Sequence, residues 1–350
     1  MKKLSLLLIS LVLLMGQVLA IDLDDKIGQM IIVGFNGNSV RSLGFKRVLK
    51  KIKKGEISGV ILFSKNIKDK NSLVEMNNKI ISSNATVPFV AIDNEGGYVQ
   101  RYDFMKHNSA KTVSTYTEKE AGIHYSSMAK FEKSLGINFN FAPCVDLAIN
   151  KESIINKKER SFSDDPKIVS KYAKIFVEEH NKQNIITSIK HFPGHGSVVG
   201  DTHKGFVDAT ETFRKDEIKP YKNLKNYSKL NTVMVSHIYN KNFDEKYPAS
   251  LSENTIKNLL KKEIGFKGVI VSDDYDMGAI IDNYTLRENV VLAVNAGVDI
   301  MIFSNNLKRH DRNISKKIHK IIKQEIKKGN IKEADIDNSY RKIMALKSQL

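Results

Sequence analysis

Eight short apolar runs, most of them rich in β-branched residues, punctuate the chain, and each gives way to polar or glycine-containing sequence. They fall at 30–34, 59–63, 88–92, 137–141, 185–189, 232–236, 268–271 and 299–303. Runs this short and this apolar predict parallel strands covered on both faces by helices. Between them, apolar positions recur at helical spacing, as in Asn71 to Ser83, Asp165 to Gln183, Ser252 to Ile264 and Thr285 to Ala296. Ser252 and Asn254 supply a helix start and Gly265 a stop. Eight strand–helix alternations predict an α/β architecture, a single-domain (β/α)8 TIM-type barrel. An open doubly wound sheet usually ends near six strands and carries a dinucleotide fingerprint, and no G-x-G-x-x-G or phosphate-loop pattern follows any run. The Lys-rich stretch His310 to Leu350 is helical in pattern and is expected to pack on the outside of the barrel.

Residues 1–20 break this pattern. Lys2 and Lys3 precede a near-continuous apolar run from Leu4 to Met15, and Val18-Leu19-Ala20 closes it with a small residue. The run is shorter than the roughly 20 apolar residues a membrane span needs, so it reads as a signal peptide cleaved after Ala20. The expectation is an exported protein, periplasmic or secreted, with no stable membrane insertion once the segment is removed. An uncleaved anchor is the alternative.

The formal charge is +17, and loss of Lys2 and Lys3 lowers it to +15. Basic character invites a nucleic-acid partner, but the lysines are spread along the chain and no nucleic-acid motif with interleaved aromatics is present, so none is expected. An anionic cell-envelope polymer suits an exported basic protein better; solvated surface lysines are the bland alternative. The lone Cys144 lies in Phe141-Ala142-Pro143-Cys144-Val145, an apolar setting that reads as core packing. A monomer is expected.

In a barrel, chemistry collects just past the strand C-termini. The third strand runs into Asp93-Asn94-Glu95-Gly96-Gly97-Tyr98-Val99-Gln100-Arg101. There a carboxylate can accept from vicinal hydroxyls and an arginine fork can hold oxygen atoms, which suits a sugar. A glycine turn with a surface ion pair is the alternative. The fifth strand runs into Lys190-His191-Phe192-Pro193-Gly194-His195-Gly196, followed by Asp201-Thr202-His203. Pro193 and the glycines exclude a helix. Asp201 and His203, two apart, share one side of an extended stretch, so the carboxylate can hold one imidazole nitrogen and leave the other for acid–base work. A zinc site from His191, His195 and His203 is a competing reading that lacks the usual ligand spacing. The seventh strand runs into Ser272-Asp273-Asp274-Tyr275-Asp276. Asp273 comes first after the apolar run, and a carboxylate there can attack an anomeric carbon. A solvated acidic turn is the alternative.

These residues resemble glycoside hydrolase family 3, in its single-domain β-N-acetylglucosaminidase branch, over nearly the whole chain beyond residue 20. The most specific element is Lys190-His191-Phe192-Pro193-Gly194-His195-Gly196 with Asp201-x-His203. The resemblance implies Asp273 as nucleophile, His203 as general acid/base and Asp201 as its orienting partner. It implies Asp93, Arg101, Arg160, Lys190 and His191 as the substrate-binding set, and neither metal nor cofactor. Peptidoglycan or muropeptide-type glycans are the implied substrates. A family 3 β-glucosidase, an N-acetylglucosaminide phosphorylase, a metal-dependent hydrolase and a non-catalytic envelope glycan-binding protein are the competing functions. Four positions depart from the family pattern: Asn94 replaces a glutamine, Tyr98 an arginine, and Lys157-Lys158 an isoleucine-glycine turn. They bear on the sugar side of the site.

Overall fold

The computed structural model describes residues 21–306 and 310–350; the expected signal peptide, residues 1–20, lies outside the described residues. Eight parallel strands close into a barrel in sequence order: β1 (Ile31–Val33), β2 (Gly59–Leu62), β3 (Phe89–Ile92), β4 (Phe139–Asn140), β5 (Ile186–Phe192), β6 (Thr232–Val235), β7 (Val269–Asp274) and β8 (Ile300–Phe303). All eight coincide with the apolar runs. β1 pairs with β8 through Ile31–Met301, Ile32–Ile302 and Val33–Phe303, which completes the ring.

Leaving single turns unnumbered, the α-helices are α1 (Leu23–Gln29), α2 (Leu43–Lys53), α3 (Lys70–Ile81), α4 (Glu118–Ser134), α5 (Pro166–Asn181), α6 (Lys219–Leu224), α7 (Leu286–Ala296), α8 (Ile314–Lys327) and α9 (Glu333–Lys347). Asn254–Glu263, between β6 and β7, is wound as a π-helix. Local chemistry sets the boundaries. Thr117 and Glu120 form a capping box at the start of α4, and Thr285 and Glu288 do the same for α7. Gly297 ends α7 at φ +96°, a left-handed conformation that glycine reaches without steric strain. The buried faces of these helices join the strand residues in one continuous apolar core.

The Lys-rich C-terminal stretch is two elements with different positions. α8 follows β8 and packs beside α7 as the barrel's eighth helix. α9 instead crosses the N-terminal ends of the strands. Ser339 donates to Asp299 (2.8 Å), and Lys347 donates to the Ser58 carbonyl (3.0 Å) with its ammonium 4.5 Å over the Phe89 ring. Helical periodicity alone does not distinguish a helix on the side of a barrel from one closing its end.

Two strands run further than their apolar runs suggest. β5 continues through Lys190 and His191, and β7 through Asp273 and Asp274, each with a register shift against its neighbour. Lys190, His191, Asp273 and Asp274 therefore stand on the ends of strands, not on loops beyond them. Such irregularities near a site re-aim side chains.

Candidate active site

The C-terminal ends of the strands carry a continuous chain of charged groups. Asp93, at the tip of β3, accepts from Arg101 (3.0 Å) and from the Lys190 ammonium (2.8 Å). Lys190 also pairs with Glu95 (2.8 Å). Arg160 grips Glu95 with two nitrogens, at 2.8 and 2.7 Å, and reaches His191 Nε2 at 3.1 Å. His191 Nδ1 meets Asp146 at 2.6 Å. With Arg160 donating to Nε2, the imidazole carries its proton on Nδ1 and donates it to Asp146. Cations and carboxylates thus alternate along the chain. The sequence-predicted binding residues Asp93, Arg101, Arg160, Lys190 and His191 all lie in it.

Burial makes the pairing matter. Lys190 and Glu95 are almost completely enclosed. Burial alone would raise the two carboxyls, but Lys190 and Arg101 hold Asp93 well below the carboxylate range, and Arg160 and Lys190 hold Glu95 at about 2. Burial would in turn lower Lys190, yet Asp93 and Glu95 keep it above its ordinary value. Asp93, Glu95 and Lys190 are therefore all ionised, and their pairing presents Asp93 to the cavity as an acceptor fixed in place.

Glu95 and Asp146 are functional residues that the sequence reading missed. Glu95 stands inside the quoted motif, two positions past Asp93. Asp146 lies beyond β4 in a segment that reads only as packing around Cys144. Besides His191, Asp146 accepts the His191 and His195 backbone N–H groups (3.1 and 2.9 Å), so it shapes the start of the β5 loop. Cys144 is indeed buried, and burial together with Asp146 pushes its thiol well up, which removes it as a nucleophile. Cys144, Asp146 and His191 place ligand-type atoms within 4.8 Å of one another. The carboxylate is already occupied by the N–H donors of His191 and His195, so the arrangement positions His191. Of the competing zinc reading, His191 and His195 neighbour each other, with ring centroids 6.0 Å apart, while His203 stands on the exposed part of the loop.

That loop is held at its root and free at its tip. Val198, Val207, Ala209 and Ile238 form a small separate apolar cluster beneath it. Glu217 accepts from the Ser197 and Leu147 N–H groups (2.5 and 3.3 Å). Gly196 passes so close to Leu147 that a Cβ would sit 1.7 Å from its carbonyl oxygen, so no larger residue fits. Further out, Asp201 accepts both the His203 N–H (3.0 Å) and its Nδ1 (2.8 Å). His203 Nε2 is left for a ligand. The His203 carbonyl accepts from Gly278 N (3.3 Å) and that of Thr202 from Ala279 N (3.1 Å). These bonds tie the dyad to the segment just after the β7 acids.

Asp273 accepts from the Asp274 N–H (2.8 Å). Burial opposes its ionisation, but His237, His191 and His203 outweigh it and keep the carboxyl below its ordinary range. A group held as an anion at the end of β7 has the state a nucleophile needs. Its neighbour Asp274 differs: burial and Asp276 push it up to about 7, and it accepts from the Ser304 and Asp276 N–H groups instead of facing the cavity as a full anion. His237, fully buried, bridges Ser250 Oγ (2.7 Å) and the Asp274 carbonyl (2.9 Å), bracing the β7 tip from β6. Nothing in its sequence context marks it.

Asp93, Arg101, His203, Asp273 and Asp274 converge on one cavity of about 230 Å³, floored by Ile61, Phe141, Met234 and Ile302. A carboxylate acceptor, an arginine fork, an imidazole and an ionised carboxylate therefore share a single small chamber. Of the departures from the family pattern, Asn94 is fully buried and turned away from this chamber, donating to Tyr102 (2.8 Å) and Glu132 (2.6 Å). Tyr98 is 65% exposed, with the Lys158 ammonium 3.9 Å over its ring, and lies on the surface.

A (β/α)8 barrel with carboxylate and imidazole groups gathered around a small cavity at its C-terminal face fits a glycoside hydrolase. The chain matches the Glycosyl hydrolase family 3 N terminal domain over residues 22–346, and it belongs to that family. It is 32% identical over 258 residues to a Beta-hexosaminidase of Photobacterium profundum, covering 71% of this chain and 75% of that one. It is 30% identical to a Beta-hexosaminidase of Xylella fastidiosa, covering 70% and 76%. Among solved structures it is similar to a glycoside hydrolase family 3 beta-N-acetylglucosaminidase from a Paenibacillus species. That match has TM-score 0.85 and 27% identity, and covers 94% of this chain and 63% of that one.

Proposed function

We propose that the protein is a retaining exo-β-N-acetylglucosaminidase that removes terminal β-linked N-acetylglucosamine from peptidoglycan or its fragments. The observation that carries this reading is the convergence of His203, Asp273 and Asp93 on one cavity, with Asp201 bound to the outer imidazole nitrogen. The names of the relatives in Photobacterium and Paenibacillus support the N-acetyl preference. A cavity of about 230 Å³ is below the roughly 300–1,000 Å³ of drug-sized sites and accommodates a single terminal sugar, in keeping with exo action.

In the first step the ionised Asp273 attacks the anomeric carbon while protonated His203 donates through Nε2 to the leaving oxygen, forming a glycosyl ester with inversion. Asp201 stabilises the imidazolium before that transfer and holds the ring's orientation throughout. In the second step His203 takes a proton from water, which displaces Asp273 with a second inversion. Asp93 accepts from the sugar hydroxyls, and Arg101 and Lys190 keep it charged and fixed. The N-terminal segment is in keeping with export, which would place the enzyme where peptidoglycan lies.

The test is hydrolysis of an aryl N-acetyl-β-glucosaminide beside the matching β-glucoside, by the wild-type protein and Asp273→Asn, with and without phosphate. Cleavage of only the N-acetyl substrate, lost in the variant and indifferent to phosphate, is expected. Cleavage of neither substrate would leave a glycan-binding protein, and dependence on phosphate would make it a phosphorylase.

A further inference from the structure

Two large cavities of the described residues lie outside the catalytic chamber, and both open on one side of the barrel. One, of about 550 Å³, is lined by Arg47, Lys51, Asn305 and Arg312 among others; the other, of about 920 Å³, is lined by Lys54, Lys316, Lys320 and Lys327 among others. They are the two ends of a single surface formed by α2 and α8. These helices flank the β1–β8 seam and are joined by polar contacts: Lys51 donates to the Arg312 carbonyl and Ser315 Oγ (both 2.8 Å), and His319 meets the Glu56 carbonyl (3.0 Å).

Cations outnumber acids on this surface: Asp24, Glu56 and Glu333 line the lower cavity and Asp311 the upper, against eight lysines and arginines. Residues 43–54 contain six cations and no acid, and the acid of α8, Glu325, is buried and bound by Arg287. Lys323 and Lys317 are paired with Asp24 and Asp311. Lys46, Arg47, Lys50, Lys53, Lys316 and Lys320 remain exposed, with no acidic partner among the described residues. Gathering so many like charges disfavours the compact state and attracts a polyanion. At ~1.5 Å per residue, α2 and α8 carry this charge over roughly 16–21 Å. Its upper end adjoins the active site, because Asn306 lines the catalytic chamber while the adjacent Asn305 lines the upper basic cavity.

We propose that the α2–α8 face is a docking surface for the anionic glycan strand whose non-reducing end enters the catalytic chamber, held through its carboxylates. This rests on the reading of the chamber as an exo-glycosidase site, and it adds a second, non-catalytic contact that an uncharged glycan does not engage. A flat anionic bilayer fits less well. The lower half of the face is a groove, and among the exposed large hydrophobics of the described residues only Ile21 and Leu43 flank it, too few for interfacial insertion.

The test compares the exported protein with its Lys46→Glu/Lys50→Glu/Lys316→Glu/Lys320→Glu variant. Co-sedimentation is measured with purified peptidoglycan sacculi, chitin and phosphatidylglycerol vesicles, alongside turnover of an aryl N-acetyl-β-glucosaminide. At low ionic strength, sacculus binding is expected to fall by about tenfold or more in the variant. Salt of roughly 0.5 M should reduce wild-type binding to the same level. Chitin binding should be weak for both proteins, and aryl turnover should be unchanged within about twofold, which also establishes that the variant is folded. Equal sedimentation of the two proteins with sacculi would overturn the proposal. So would loss of vesicle binding alone, which would make the face a membrane surface. Failure of wild-type turnover on the aryl substrate would sink the enzymatic reading and leave the sedimentation result to decide the face.

Discussion

Replacing His203 with alanine separates acid catalysis from everything else the site does. The side chain is 58% exposed, and its imidazole is held by Asp201. An exposed pair of this kind contributes about 0–1 kcal/mol, so the variant should unfold within a few degrees of wild type. The catalytic effect should be far larger. General acid catalysis accounts for roughly 10²–10⁴-fold, which corresponds to about 2.7–5.4 kcal/mol of barrier. That loss applies only where the leaving oxygen needs a proton. An alkyl or sugar aglycone leaves as a strongly basic alkoxide and should suffer the whole of it, whereas a nitrophenolate leaves unaided in the first step. The assay is kcat/KM for a nitrophenyl and an alkyl N-acetyl-β-glucosaminide, wild type against variant, with thermal midpoints measured in parallel. Equal losses on both substrates would refute the acid/base role, because they would mean that His203 binds or shapes and does not protonate. A collapse of the midpoint would refute the structural premise that this imidazole is a peripheral group.

Two further outcomes test the charged framework. Lys190→Met leaves Asp93 and Glu95 buried beside one fewer cation, and breaking such an enclosed pair should cost about 3–5 kcal/mol in denaturant unfolding; a loss below about 1 kcal/mol would mean that water already reaches those carboxylates. Glu217 is raised from its ordinary 4.5 to about 7, because burial and then Asp146 disfavour its charge more than the Ser197 and Leu147 N–H groups favour it. Between those pH values the native state binds more protons than the unfolded chain, so its contribution to stability falls as pH rises through the window. Glu217→Gln should therefore gain on wild type by at most about 3 kcal/mol between pH 5 and 8, read from unfolding curves at each pH. Parallel curves for the two proteins would show that this carboxyl is ionised throughout.

The barrel was legible because its strands are short, fully buried and bounded, so that hydrophobicity alone outlines them, and all eight runs became strands. Their exact ends were not legible. Lys190, His191, Asp273 and Asp274 break the apolar pattern, yet they extend β5 and β7, because neighbouring strands bond the backbone whatever the side chains face. The same distinction runs through the site. Residues that project into the cavity, such as Asp93, His203 and Asp273, announce themselves as polar groups after apolar runs. Residues that hold them do not. Glu95 acts through Arg160, 65 positions away, Asp146 through His191, 45 away, and His237 through Asp274, 37 away, all beyond the reach of a local pattern. Asn94 is the converse case. It lies in the motif beside Asp93, where a departure from the family pattern suggests altered sugar contacts, but pleating sends successive side chains at a strand end to opposite sides. Its amide therefore meets Glu132 and Tyr102 behind the sheet, and the chamber's chemistry passes from Asp93 to Glu95 without it.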